Sequence, residues 1–401
     1  MLDVPGFAPY LAARALAMFG STMAPVAMAF AVLDVTGSAS SLGLVLAAQT
    51  APQILFLLVG GAVGDRAPRR RVLLASNLVM SLCQGGTAAL FVLGQADLAL
   101  VMALQAVWGT ARAFFMPANT GVVPDLVPAE RIQDATALVT LSRSIASIGG
   151  PAAAGALLLV WNPGYVVLGD ALLFLAATAL LARLPRLRRP EKPTESLRRS
   201  LAEGWREFAS RSWVWSMVGS FGLYQGLVLP AIFVVGPVLA DQDGGMGAAA
   251  WGAVLSVRGV GSVLGGLLLF WWRPARPLLV ATVLVALESL FLLALAMTDQ
   301  VAPVAAVALA GAAGVTMADA LWVSTMQREI PADALSRVSS YDWLGSLALN
   351  PVGMAVTGVL VGVVGPQAIL VFAVVANLAV RGAVLLVPGV RRMPGASPAR
   401  Q

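Results

Sequence analysis

The sequence contains no histidine and a single cysteine, Cys83. One cysteine excludes a disulfide framework within the chain. Without imidazoles or a second thiol, the usual metal clusters and Cys/His dyads are missing as well. Proton chemistry must then fall to carboxylates. Charge is also scarce: Asp, Glu, Lys and Arg make up 11% of the 401 residues, against about a quarter in a soluble domain. So few charges cannot keep in water a chain that is 59% hydrophobic, and the bilayer is the solvent this composition points to. No Walker loop is present, which excludes ATP hydrolysis by that device. The glycine-rich stretches lie inside apolar runs, where they read as packing surfaces rather than nucleotide sites. No resident cofactor or metal is expected. Residues 1–10 show neither a basic n-region nor a small-residue cleavage site, so the first hydrophobic segment is expected to be the first membrane helix.

What is present is a series of long apolar runs, at about 7–33, 41–63, 72–94, 98–121, 136–160 and 164–183, then 213–239, 248–272, 277–297, 302–326, 338–363 and 367–387. Each reaches the roughly 20 residues that a membrane-spanning helix needs. They are continuous rather than alternating, which excludes barrel strands. The expected fold is therefore all-α, with 12 transmembrane helices.

The net charge of +6 would suggest nucleic acid in a soluble protein, but here the basic residues fall in short gaps between runs. The gaps after odd-numbered runs hold Asp34, Asp97, Asp241, Asp243 and Asp299 and no Lys or Arg. The gaps after even-numbered runs hold Arg66, Arg69, Arg70, Arg71, Arg131, Arg273, Arg276, Arg328 and Arg337. By the positive-inside rule, both termini and the long central loop are expected in the cytoplasm. No nucleic-acid partner is implied; the lipid bilayer is the partner.

The polar segment 184–212 separates two six-helix bundles, 1–183 and 213–401, the latter with a short cytoplasmic tail. Leu197, Leu201, Trp205 and Phe208 recur in it at helical spacing. They suggest either an amphipathic helix lying on the anionic leaflet or a plain solvated linker helix. The halves echo each other: Val127-Pro128-Ala129 after the fourth run returns as Ile330-Pro331-Ala332 after the tenth, and Gly60-Gly61 returns as Gly265-Gly266. Such offsets of about 200 residues suggest a duplicated six-helix unit.

The first basic loop reads Gly61-Ala62-Val63-Gly64-Asp65-Arg66-Ala67-Pro68-Arg69-Arg70-Arg71. It resembles the signature loop of the major facilitator superfamily, roughly G-x-L-a-D-R-x-G-R-R, matching at Gly61, Asp65, Arg66, Arg69 and Arg70 and departing at Pro68. The resemblance implies the major facilitator fold and a conformational latch in this loop; otherwise the arginines only set topology. The second half keeps Arg273 after Trp272 but no acid, so a second latch is not implied. Gly150, Pro151 and Gly155 resemble the G-P-x-x-G-G motif on the fifth helix of exporters in that superfamily, with Ala154 replacing one glycine. The alternative is generic tight helix packing. With Phe114-Phe115-Met116-Pro117 and Pro124-Asp125-Leu126, the sharpest matches lie in residues 60–155. They look like the branch holding macrolide-efflux and enterobactin-export proteins. Many such exporters carry an arginine where this chain has Gln105, so that residue's coupling role does not transfer.

Ionisable groups inside spans are costly and usually face a cavity. The candidates singled out are Arg14, Arg112, Asp170, Arg258, Glu288, Asp319 and Arg381. Gln105, Arg112 and Asn119 recur every seven residues, on one face of the fourth helix. Arg14 and Ser21 repeat that spacing on the first. The resemblance implies that helices one, four, seven and ten line the cavity. The cavity or proton-coupling candidates are accordingly Arg14, Gln105, Arg112, Asn119, Glu288 and Asp319, with Glu288 also open to pairing with an arginine. For each, a structural ion pair or snorkelling is the competing reading. The resulting expectation is a secondary active transporter and not an enzyme. It would export small amphipathic molecules such as drugs, antibiotics or siderophores as a monomer in the inner membrane, with a proton gradient as energy source. The alternatives are an importer or uniporter of a polar metabolite, or a non-transporting receptor or scaffold.

Overall fold

The computed structural model describes residues 4–64, 67–185, 187, 204–242 and 244–395, and these are helical with no strand among them. The principal helices are α1 (Phe7–Thr36), α2 (Ala39–Gly64), α3 (Arg69–Val92), α4 (Leu98–Thr120), α5 (Ile132–Leu157) and α6 (Pro163–Leu181). There follow α7 (Ser212–Asp241), α8 (Gly247–Trp271), α9 (Pro277–Met297), α10 (Val301–Glu329), α11 (Ala332–Leu347 and Asn350–Val364) and α12 (Pro366–Leu385). Among the described residues, eleven helices are long and apolar enough to cross a membrane. The expected run at 136–160 is present as α5, which carries Asp134 and Arg143 and is not one of those eleven.

Local chemistry sets the helix ends. The Asp97 carboxylate accepts the Leu100 amide at 2.9 Å, and the Asn162 side chain accepts the Gly164 amide at 2.8 Å, with Pro163 in the first turn of α6. Both are side-chain caps for amides that the helix leaves unpaired. At the other end of α1, Gly37 adopts φ 57° and donates its amide to the Leu33 carbonyl at 2.7 Å, a turn that glycine makes without steric cost. In α7 the bonding pattern widens to π-helix over Tyr224–Val228 and Ala231–Val235, on either side of Pro230. Proline has no amide hydrogen and displaces the preceding carbonyl, so the ladder is interrupted there.

The chain divides into two compact units. The first holds α1–α6 and Gly247–Ser256 of α8; the second holds residues from Thr194 to Leu239 and the chain from Val257 onward. In the first unit α4 packs on α2 and α3, while α6 packs on α1 and α3. In the second, α10 and α12 pack on α9, and α11 packs on α7. The glycine pairs that echo in sequence make the same approach in each unit. A Cβ on Gly60 would overlap the Ala113 carbonyl of α4, and one on Gly265 would overlap the Ala313 carbonyl of α10. Their neighbours Gly61 and Gly266 face open space.

Leu197 and Leu201 of the linker lie outside the described residues, as do Asp65 and Arg66 of the basic loop. Residues 204–209 are helical. Their aromatic side is occupied from within the second unit: Trp205 and Phe208 stack with ring centroids 5.6 Å apart, and both pack on Tyr341 of α11.

Candidate functional site

A cavity of ≈ 230 Å³ opens within the first unit, among α1, α2 and α4. Its apolar side includes Met28, Val45 and Trp108; its polar side includes Gln49, Gln53 and Arg112, with Gln84 and Gln105 set in the wall. The Arg112 guanidinium lies 5.2 Å from the Trp108 ring centroid, a cation–π placement that leaves its N–H donors to a ligand. Pro25 of α1 also reaches this wall. Gly109 lets α4 close on α2, since a Cβ there would overlap the Gln49 carbonyl.

The polar wall is tied together by amides. Gln105, fully buried, donates to Gln84 Oε1 at 3.0 Å and to Thr87 Oγ1 at 3.2 Å, and accepts from Gln49 Nε2 at 3.0 Å. Gln84 in turn donates to Asp170 Oδ2 of α6 at 2.6 Å. Every polar atom of Gln105 that faces the protein interior is thereby satisfied, which keeps the buried amide from carrying a desolvation cost.

The residues singled out on α1 and α4 separate into two places. Ser21, Gln105 and Arg112 come together at the cavity. Asn119 instead accepts the Tyr10 hydroxyl at 3.1 Å, and the Arg14 guanidinium sits 5.6 Å from the Phe115 ring centroid, with its Nε buried and unpartnered. Tyr10 and Phe115 belong to the apolar core of the first unit.

In the second unit one buried carboxylate meets an arginine, and a second buried arginine is held by neutral acceptors. Glu288 is fully buried at the break in α9, and Arg258 Nη1 stands 2.6 Å from its Oε1, close but not aligned as a hydrogen bond. Gly311 of α10 leaves the room this carboxylate fills. Arg381 does not snorkel: it is 3% exposed and donates to Ser220 Oγ at 2.9 Å and to the Ser220 carbonyl at 3.2 Å. Asp319 is exposed on α10, within electrostatic reach of Asp342 on α11. Asp342 accepts the Trp322 indole N–H at 3.2 Å and the Ser346 hydroxyl at 3.3 Å.

In the basic loop, Arg69 pairs with Asp125 at 2.7 Å and donates to the Gly121 carbonyl at 3.3 Å, while Arg70 donates to the Ala182 carbonyl at 2.6 Å. Both arginines thus fasten the start of α3 to the ends of α4 and α6. In the fifth-helix motif, a Cβ on Gly150 would overlap the Thr22 hydroxyl of α1. One on Gly155 would lie 2.9 Å from the Ala249 carbonyl of α8. Pro151 belongs to the same seam, its carbonyl lying against Gly252.

Nothing in the sequence patterns above singles out Gln49, Gln84, Thr87 or Asp342. Asp342 was within reach of the intramembrane-charge criterion, since it lies inside the 338–363 run. The glutamines carry no charge, and only their convergence in space gives them significance.

Residues 10–347 match the Major Facilitator Superfamily. Among curated proteins, the chain is 27% identical over 270 residues to the enterobactin exporter EntS of Shigella dysenteriae serotype 1. That alignment takes in 66% of this chain and 62% of the relative, under two thirds of its length. Among solved structures, it is similar to a bacterial homolog of the human lysosomal transporter Spinster, with TM-score 0.72 at 15% identity over 98% of this chain and 99% of the other. It is also similar to the nucleoside transporter NupG, with TM-score 0.73 at 12% identity over 95% and 98%. The match across most of the chain and the shared fold lead to one conclusion: this multi-pass membrane protein is a transporter of the Major Facilitator Superfamily.

Proposed function

We propose that the chain exports small amphipathic molecules of the siderophore kind in exchange for protons. The observation that carries this reading is the cavity of the first unit. Met28, Val45 and Trp108 offer an apolar face, while Arg112 and the glutamine side chains offer donors and acceptors across from it. An aromatic molecule bearing hydroxyl or acidic oxygens matches both sides at once. The 27% identity to a siderophore exporter and the Gly150-Pro151 motif of exporter type favour outward transport.

In this reading the bundles 1–183 and 213–401 work by alternating access as one monomer in the inner membrane. The segment 184–212 and both termini lie in the cytoplasm, as the arginine distribution directs. Gly61, Asp65, Arg66, Arg69 and Arg70 act as the latch at that face. Asp319 carries the coupling proton in the second bundle, and no bound cofactor takes part. The test is secretion: a strain lacking its own enterobactin exporter, expressing this chain, should release enterobactin into an iron-poor medium. Intracellular accumulation equal to that of the empty-vector strain would overturn the reading.

A further inference from the structure

Asp170 is fully buried on α6, and the transport reading above assigns it no part. Its Oδ2 accepts from Gln84, while its Oδ1 is buried without a partner. Gly20 of α1 makes the space it occupies, since a Cβ there would overlap Oδ1. The surroundings add little charge. α1 presents Gly20, α3 presents Gln84, and the charged group acting on Asp170 is Arg112 of α4, itself under the influence of Arg14 and of Arg143 on α5. An intramembrane carboxylate with one oxygen unpaired is expensive, and such groups are kept for a purpose.

The amide chain that starts at Asp170 has a direction. An ionised carboxylate only accepts, so Gln84 must turn its NH₂ toward Asp170 and its carbonyl away. Gln105 then points its NH₂ at Gln84 Oε1 and its carbonyl at Gln49, and Gln49 points its NH₂ at Gln105. All three amides run head to tail. The chain ends at Gln49 on the cavity wall, where its Oε1 is left as an acceptor without a protein partner.

We propose that Asp170 is a proton-sensitive positioning residue that sets whether the cavity wall presents a hydrogen-bond acceptor or a donor at Gln49. One proton passes from hydronium to Asp170 Oδ2, breaking a hydronium O–H bond and leaving water, and the new O–H donates to Gln84 Oε1. Each terminal amide then turns over about its last, softly held torsion. Thr87, whose hydroxyl both donates and accepts, follows Gln105. At the far end Gln49 exchanges its carbonyl for its NH₂. No other covalent bond forms or breaks, and no oxidation state changes. A ligand hydroxyl or amide N–H beside Arg112 is welcomed by the ionised state and faces another donor in the protonated state. Proton uptake therefore opposes ligand retention, the sense that exchange of a proton for a ligand requires. The ligand part of this inference rests on the exporter reading; the switch itself does not.

The deciding experiment is infrared pH-difference spectroscopy of the purified, ligand-free full chain in lipid. Wild type should show a carboxylic-acid carbonyl band on acidification, accompanied by a change in the glutamine side-chain amide bands. Asp170→Asn should lose the share of the acid band that belongs to Asp170, together with the amide change. Gln84→Leu should keep the acid band and lose the amide change, and thermal unfolding should show both variants folded. An Asp170→Asn spectrum identical to wild type, or an acid band with no Gln84-dependent amide change, would overturn the proposal. Enterobactin is then the binding probe: its affinity should fall on acidification in wild type and fall markedly less in Asp170→Asn. The infrared changes without any enterobactin binding would leave the switch standing and count against the exporter reading.

Discussion

Arg258 Nη1 stands 2.6 Å from Glu288 Oε1 inside the second unit, and the Glu288 side chain is wholly withdrawn from solvent. Each charge is tolerable there because the other is present. Removing one partner leaves an uncompensated ion, at a cost of about 3–5 kcal/mol. Arg258→Leu should therefore lower the thermal unfolding temperature in detergent strongly. The double variant with Glu288→Met should recover much of that loss, because an apolar pair carries no desolvation cost. A double variant as unstable as Arg258→Leu alone would contradict the pairing.

The repeated glycine approach makes a four-way comparison. Gly60→Val and Gly265→Val should each destabilise by roughly 1–3 kcal/mol, as overpacked helix contacts do. Gly61→Val and Gly266→Val should sit near wild type, since both glycines face open space. Unfolding temperatures of the four variants decide it. Gly60→Val no worse than Gly61→Val, and Gly265→Val no worse than Gly266→Val, would show that the close approach is not what the glycines serve.

The helices were legible in the sequence because their signal is local: each run is continuous in its own stretch of chain. The site was less legible because its signal is not. Glu288 could be read as a carboxylate awaiting an arginine, but choosing Arg258, 30 positions away, needed the fold that brings the two side chains together. The seven-residue stripe on α4 put Gln105 and Arg112 at one cavity, while Asn119, past Pro117, meets Tyr10 instead. Gln84 lay hidden in an apolar run, uncharged, until α6 brought Asp170 against it.

Gln105 is the joint of the amide chain. Gln105→Leu strands the Gln84 carbonyl and the Gln49 amide, and each buried group left unsatisfied costs about 1–3 kcal/mol. A lower unfolding temperature is expected, together with weakened enterobactin binding measured by fluorescence titration. An unfolding temperature matching wild type would show that the chain holds no energy.

Arg112 supplies the charged donors of the cavity. Arg112→Leu removes charge-assisted hydrogen bonds worth about 1.5–3 kcal/mol, so affinity for an acidic ligand should drop roughly 10- to 100-fold. A neutral aromatic ligand should lose less, because Trp108 remains. The pair of dissociation constants, for enterobactin and for an uncharged analogue, checks this.

Proton-driven export is decided by transport of the purified chain in proteoliposomes. With the cytoplasmic face outward and an acidic interior, the vesicles should accumulate enterobactin. An uncoupler should abolish that accumulation, and so should Asp319→Asn in a chain that remains folded. Accumulation indifferent to the proton gradient, or undiminished in Asp319→Asn, would contradict the account.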